Sequence, residues 1–126
     1  MSHGFSPTEF EAIGVSYYKK KQYQKALEAF TAGINASAIP TVTLYEYRAA
    51  THEKLADFHA AIKDGRDAIK LNRQDVRGYL RIAGVYQQQN QLDKAVGMYE
   101  YGMTKVPVGN KDFKVGCVHW TDMKDC

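Results

Sequence analysis

Alanine recurs in this chain at positions 26, 61 and 95, with 35 and then 34 residues between copies, and that recurrence constrains the fold more than any other feature. Four further columns follow the same spacing: Gly14, Ala49 and Ala83; Tyr17, His52 and Tyr86; Tyr23, Phe58 and Leu92; Gly33, Ala68 and Gly102. Five columns in one register over three copies describe a single supersecondary unit used three times. Such a unit stacks on its own copies because alone it cannot bury its apolar face. An ordinary antiparallel helical bundle would keep the 3.6-residue period and lack the longer one.

The third copy, DVRGYLRIAGVYQQQNQLDKAVGMYEYGMTKVP over 75–107, shows why the pattern works. Ala83 and Ala95 are small enough to let two antiparallel helices approach, and Tyr79, Ile82, Tyr86, Leu92 and Tyr99 fill the remaining space. The order of large apolar residue, small residue, aromatic, then Ala, aromatic and closing Pro107 resembles the tetratricopeptide repeat (TPR). That resemblance implies an all-α fold of three helix-turn-helix hairpins forming a short right-handed superhelical solenoid. The array occupies 1–107, with repeats at about 7–40, 41–74 and 75–107.

Local signals agree with this division. Ser6-Pro7-Thr8-Glu9 reads as a helix start: Ser6 caps, Pro7 suits the first helical position, and Glu9 reaches back as in a capping box. The expected helices cover about 7–20, 23–35, 41–55, 58–71, 76–89 and 92–105. The first buries Phe10, Ile13, Gly14 and Tyr17, and the second buries Tyr23, Ala26, Leu27, Phe30 and Ile34. Residues 36–40 carry the one extra residue of the first period, and Pro40 forbids helix across them. Asn72 ends the fourth helix and Asp75 caps the fifth.

Past Pro107 the periodicity stops. The stretch 110–115 starts like a capping helix, Gly116 halts it, and CVHWTDMKDC has no helical apolar period. The tail 108–126 is therefore expected to be irregular or a truncated capping helix, and two readings compete, a real short tail or, the favoured one, a chain cut from a longer protein or gene model. It would leave Val96, Tyr99 and Met103 of the last helix partly uncovered.

Several function classes are disfavoured. A chain of 126 residues is one domain and short for an enzyme with a closed pocket. Seventeen basic against 14 acidic residues give a net charge of +3, too little to argue nucleic acid. Lys19, Lys20, Lys21 and Lys25 sit where one helix ends and the next begins, a solvated, dipole-matched arrangement. Cys117 and Cys126 both follow the repeats, so no disulfide framework holds them, and an intracellular compartment, nuclear or cytoplasmic, is expected. MSHGFSPTEFEA is no secretory signal, and no apolar run suits a membrane.

Neither a catalytic constellation nor a Gly-rich phosphate loop is present, so no enzyme activity and no cofactor are expected. His3, His52, His59 and His119 are scattered, and His52 shares a column with two tyrosines, which suits packing. Cys117, His119 and Cys126 supply three ligands without the paired spacing that a structural zinc needs, so no metal is expected.

A stacked hairpin array offers a groove instead, lined by the first helix of each hairpin. The register assigns to it Glu11, Val15, Tyr18 and Lys19, then Glu46, Tyr47, Ala50 and Lys54, then Arg77, Arg81, Gly84 and Gln88. Arg77 and Arg81 lie four apart on one face. Their two forks suit a carboxylate or phosphate on a partner protein or peptide, or equally the acids of the neighbouring helix, such as Glu46. Tyr18 and Tyr47 supply either rigid contact area for a partner or ordinary packing.

The run TLYEYRAATHEKLADFHAAIKDGRDAIKLNRQDVRGYLRIAGVYQQ resembles two TPR groups. One is the co-chaperones whose carboxylate clamp holds the acidic C-terminal tail of HSP70 or HSP90, with Lys and Asn on the first groove helix, Asn on the second, and Lys and Arg on the third. Glu11, Val15 and Tyr47 stand at the first three positions here, and only Arg77 and Arg81 carry over. An acid where a lysine belongs implies that an acidic tail is held poorly. The other, to which the run is more similar, is the fungal F-box proteins with an N-terminal TPR region and leucine-rich repeats. That resemblance covers about 8–107 and implies a recruitment module of an SCF-type ubiquitin ligase, nuclear and linked to chromatin or replication proteins. A TPR module severed from an enzyme such as a phosphatase is the remaining alternative.

Overall fold

The computed structural model describes residues 4–107. They form six helices: α1 (Pro7–Lys19), α2 (Tyr23–Ala36), α3 (Val42–Lys54), α4 (Phe58–Leu71), α5 (Val76–Gln88) and α6 (Leu92–Lys105). Among the described residues there is no strand. Each expected helix is present, with ends shifted by at most one residue. The stretch 108–126, with the expected truncated cap and with Cys117, His119 and Cys126, lies outside the described residues.

The helix starts are fixed locally. Ser6 N donates to Glu9 Oε1 at 2.7 Å and Glu9 N donates to Ser6 Oγ at 3.2 Å, the reciprocal pair of a capping box. Thr41, Asp57 and Asp75 cap α3, α4 and α5 through their side-chain oxygens. Each hairpin turns through one residue of positive φ: Lys21 at 63°, Ala56 at 61° and Asn90 at 60°. These three obey the same 35- and 34-residue spacing as the core columns, so the turn is part of the repeat.

Small residues mark where helices meet. Ala26, Ala49, Ala61, Ala83 and Ala95 are fully buried, and Gly14, Gly33 and Gly102 are buried on the facing helices. A Cβ added at Gly14 would lie 2.4 Å from the Phe30 ring, so α1 and α2 touch there with no room to spare. Stacking continues from hairpin to hairpin: α2 packs on α3 and α4 on α5, with Gly65 of α4 against Ile82 of α5. Tyr79, Ile82 and Tyr99 are buried as expected. Leu92 differs: it is the first residue of α6 and is exposed. Of the three α6 residues expected to be partly uncovered, Tyr99 is buried in the cluster with Tyr79 and Ala83, Val96 is half-buried against that cluster, and Met103 is exposed.

Candidate peptide-binding groove

Helices α1, α3 and α5 run side by side, α3 touching both neighbours, and their shared face is the trough. Of the expected lining, Glu11, Val15 and Tyr18 are half-buried and Lys19 is exposed. Glu46 and Tyr47 are half-buried and Lys54 is exposed, but Ala50 is buried: its small side chain sits in packing. Arg77, Arg81 and Gly84 are half-buried, and Gln88 is exposed. The two tyrosines are partly committed elsewhere. Tyr47 stacks on Phe30 with ring centroids 5.3 Å apart, and Tyr18 meets Tyr23 edge-on at 5.3 Å.

The arginines converge on the interface of α3 and α5, beside a concavity of about 280 Å³ lined by Glu46, Arg77, Leu80 and Arg81. Both are already bonded within the chain. Arg81 Nε donates to Glu46 Oε2 at 3.0 Å, Nη2 donates to the same oxygen, and Nη1 donates to Glu53 Oε1 at 2.5 Å. Of the two arrangements open to Arg81, partner anion or neighbouring acid, the structure therefore shows the second. Arg77 turns to its own helix cap, with Nε and Nη2 on the Asp75 carboxylate at 3.1 and 2.8 Å and Nη1 on Thr43 Oγ1 at 2.9 Å.

Electrostatics follow from this geometry. Burial pushes the Glu46 carboxyl above its usual range, with the hydrogen bond from Arg81 pulling the other way. Burial also opposes the charge on Arg81, but the Glu46 and Glu53 carboxylates outweigh it and hold the guanidinium firmly protonated. Asp75 is lowered, first by the side-chain hydrogen bond from Arg77. The second Glu46 oxygen, Oε1, is buried with no hydrogen-bond partner.

Glu53, Leu80 and Asp75 were missed as parts of this site. Glu53 follows Glu46 by seven residues, two helical turns along one face, and that spacing was a usable signal. Among the described residues no three His, Cys, Asp or Glu side chains group as a metal site, and no helix is long and apolar enough to cross a membrane.

No family model matches the chain. Heat shock protein STI1 of Saccharomyces cerevisiae is 31% identical over 108 residues, which is 86% of this chain and 18% of that protein. F-box/TPR repeat protein pof3 of Schizosaccharomyces pombe is 33% identical over 90 residues, 71% of this chain and 16% of that protein. This chain thus spans less than a fifth of the length of either relative. The TPR2B domain of yeast Sti1, solved in complex with an Hsp70 peptide, superposes with a TM-score of 0.79 at 24% identity, covering 95% of this chain and 98% of that one. The second TPR of Spaghetti (RPAP3), solved with the HSP90 peptide SRMEEVD, superposes at 0.69 and 23% identity, covering 79% and 91%.

Proposed function

Since this chain is a TPR array of three hairpins, a protein-interaction module, we propose that it holds an extended acidic tail of a partner protein in the trough of α1, α3 and α5. One observation carries the reading: α5 places Arg77 and Arg81 along the same concavity, beside the apolar Leu80, with their forks held in the free domain by Asp75, Glu46 and Glu53. Two planar forks next to an apolar wall suit the end of a peptide that offers both carboxylates and an aliphatic side chain. The comparisons support the ligand class, since STI1 is a relative and the Sti1 and RPAP3 domains were solved with chaperone peptides. The module would then belong to a longer intracellular co-chaperone-type adaptor and would carry no chemistry itself.

Glu11, Val15 and Tyr47 stand where the clamp keeps a Lys and two Asn, so binding is expected to be weaker than in a full clamp. Calorimetric titration with SRMEEVD tests this. Saturable binding is expected, and Arg77→Ala with Arg81→Ala is expected to weaken it by about 2 kcal/mol while the domain stays folded. No saturation at millimolar peptide would remove the chaperone reading.

The similarity to pof3 favours a second reading, the recruitment module of an F-box ubiquitin ligase receptor in the nucleus. There the trough would take a segment of a chromatin- or replication-linked protein, with an acidic or phosphorylated group at Arg77. An F-box encoded downstream of these repeats, together with failure of SRMEEVD to bind, would select it.

A further inference from the structure

We infer that Glu46 and Glu53 determine the ligand specificity of the trough by occupying the Arg81 fork from within, so that a carboxylate-bearing tail enters only by displacing them. The inference rests on the trough being the peptide site. Arg81 spends all three of its nitrogens on the two glutamates. Both come from α3, while Arg81 comes from α5, so the cluster spans the floor of the trough.

The charge count changes accordingly. A lone Arg81 would present one positive charge to an incoming tail, whereas Arg81 with two carboxylates presents one negative. Arg77 gives little compensation, because Asp75 holds it in the same way. Partial burial makes these charges matter: Arg81 is 26% exposed, Glu46 19% and Glu53 13%, so solvent screens them less than it would a surface pair.

Glu46 does not match the fork fully. Both of its bonds from Arg81 end on Oε2, and Oε1 is buried without a partner. A ligand carboxylate that gave Arg81 two separate oxygens would match the fork better. The internal acids therefore act as competitors that a strongly acidic tail must repel and replace, while a tail carrying amides at the same place meets no such repulsion.

The test uses two peptides, SRMEEVD and its amide counterpart SRMEEVN with an amidated C-terminus, and four proteins: wild type, Glu46→Gln with Glu53→Gln, that pair with Arg81→Ala added, and Glu53→Gln alone. Wild type should bind the two peptides within about threefold of each other. The double variant should bind SRMEEVD about tenfold tighter than wild type does, and adding Arg81→Ala should abolish that gain. Glu53→Gln alone keeps the Glu46 pair and should tighten binding in the same direction by less. Equal SRMEEVD affinity in wild type and both variants overturns the inference and leaves the peptide reading intact. A variant that gains binding where wild type has none supports the inference and sinks the chaperone assignment. No binding to wild type or to either glutamate variant overturns both.

Discussion

Arg48 and Asp64 meet as fork and carboxylate between α3 and α4, Nε on Oδ2 and Nη2 on Oδ1, each at 2.8 Å. Asp64 is 2% exposed, and Arg48 reaches on to Thr31 of α2 at 3.4 Å, so the pair joins the first two hairpins. In the repeat register its columns read Ile13, Arg48, Ile82 and Ala29, Asp64, Met98. The middle hairpin thus uses a buried ion pair where its neighbours use apolar contact. Removing one partner strands a buried charge, whereas replacing both restores the neighbours' arrangement. Asp64→Ala is expected to cost about 3 to 5 kcal/mol, and Arg48→Ile with Asp64→Ala less than half as much. A double-mutant cycle by urea denaturation measures this, and strictly additive costs would mean that the pair is not coupled.

His52 lies beside the same carboxylate, Nε2 3.6 Å from Asp64 Oδ2, with Nδ1 buried and unpartnered. Burial lowers its pKa below the ordinary 6.5. Arg48 adds to the lowering, while Asp64 and Asp57 oppose it. The sign of the linkage follows. The unfolded chain takes up a proton near the ordinary value and the folded chain only at lower pH. Stability from the neutral ring is complete above 6.5 and is lost as the pH falls toward the depressed folded value. Urea midpoints should therefore drop between about pH 7 and pH 5. His52→Tyr, which copies Tyr17 and Tyr86 of the same column, should flatten that part of the curve. An unchanged slope in the variant would assign the effect to other groups.

The helices were legible because their signals are local or periodic. Ser6 with Glu9, Pro40 and Asp75 act within a few residues, and the alanine columns repeat three times. The trough was legible only in part. Spacing placed Arg77 and Arg81 on one face of α5, but which acids they meet depends on how far α3 is offset against α5, and no spacing along one helix records that. The seven-residue spacing puts Glu46 and Glu53 on one face of α3, but that both meet Arg81 depends on this offset, as does the burial of Ala50. The turns were hidden differently: of Lys21, Ala56 and Asn90, only asparagine is a residue type that favours positive φ.

Two glycine environments give the sharpest check on the stacking. At Gly14 an added Cβ would meet Phe30 Cε1 at 2.4 Å, and the ring is backed by its stacked contact with Tyr47, so it has nowhere to retreat. At Gly84 and Gly97 an added Cβ meets nothing within 4 Å, and both positions lie inside helices. Gly14→Ala should therefore destabilise by about 1 to 3 kcal/mol through overpacking. Gly84→Ala and Gly97→Ala should each stabilise by about 0.5 to 1 kcal/mol, because alanine restricts the unfolded chain and favours helix. Gly84 also lies in the trough, so a stabilised Gly84→Ala domain with weakened SRMEEVD binding would place the peptide directly over α5. Thermal melts of the three variants separate these cases, and a Gly14→Ala domain as stable as the parent would mean that α1 and α2 do not approach as closely as the packing of Phe30 requires.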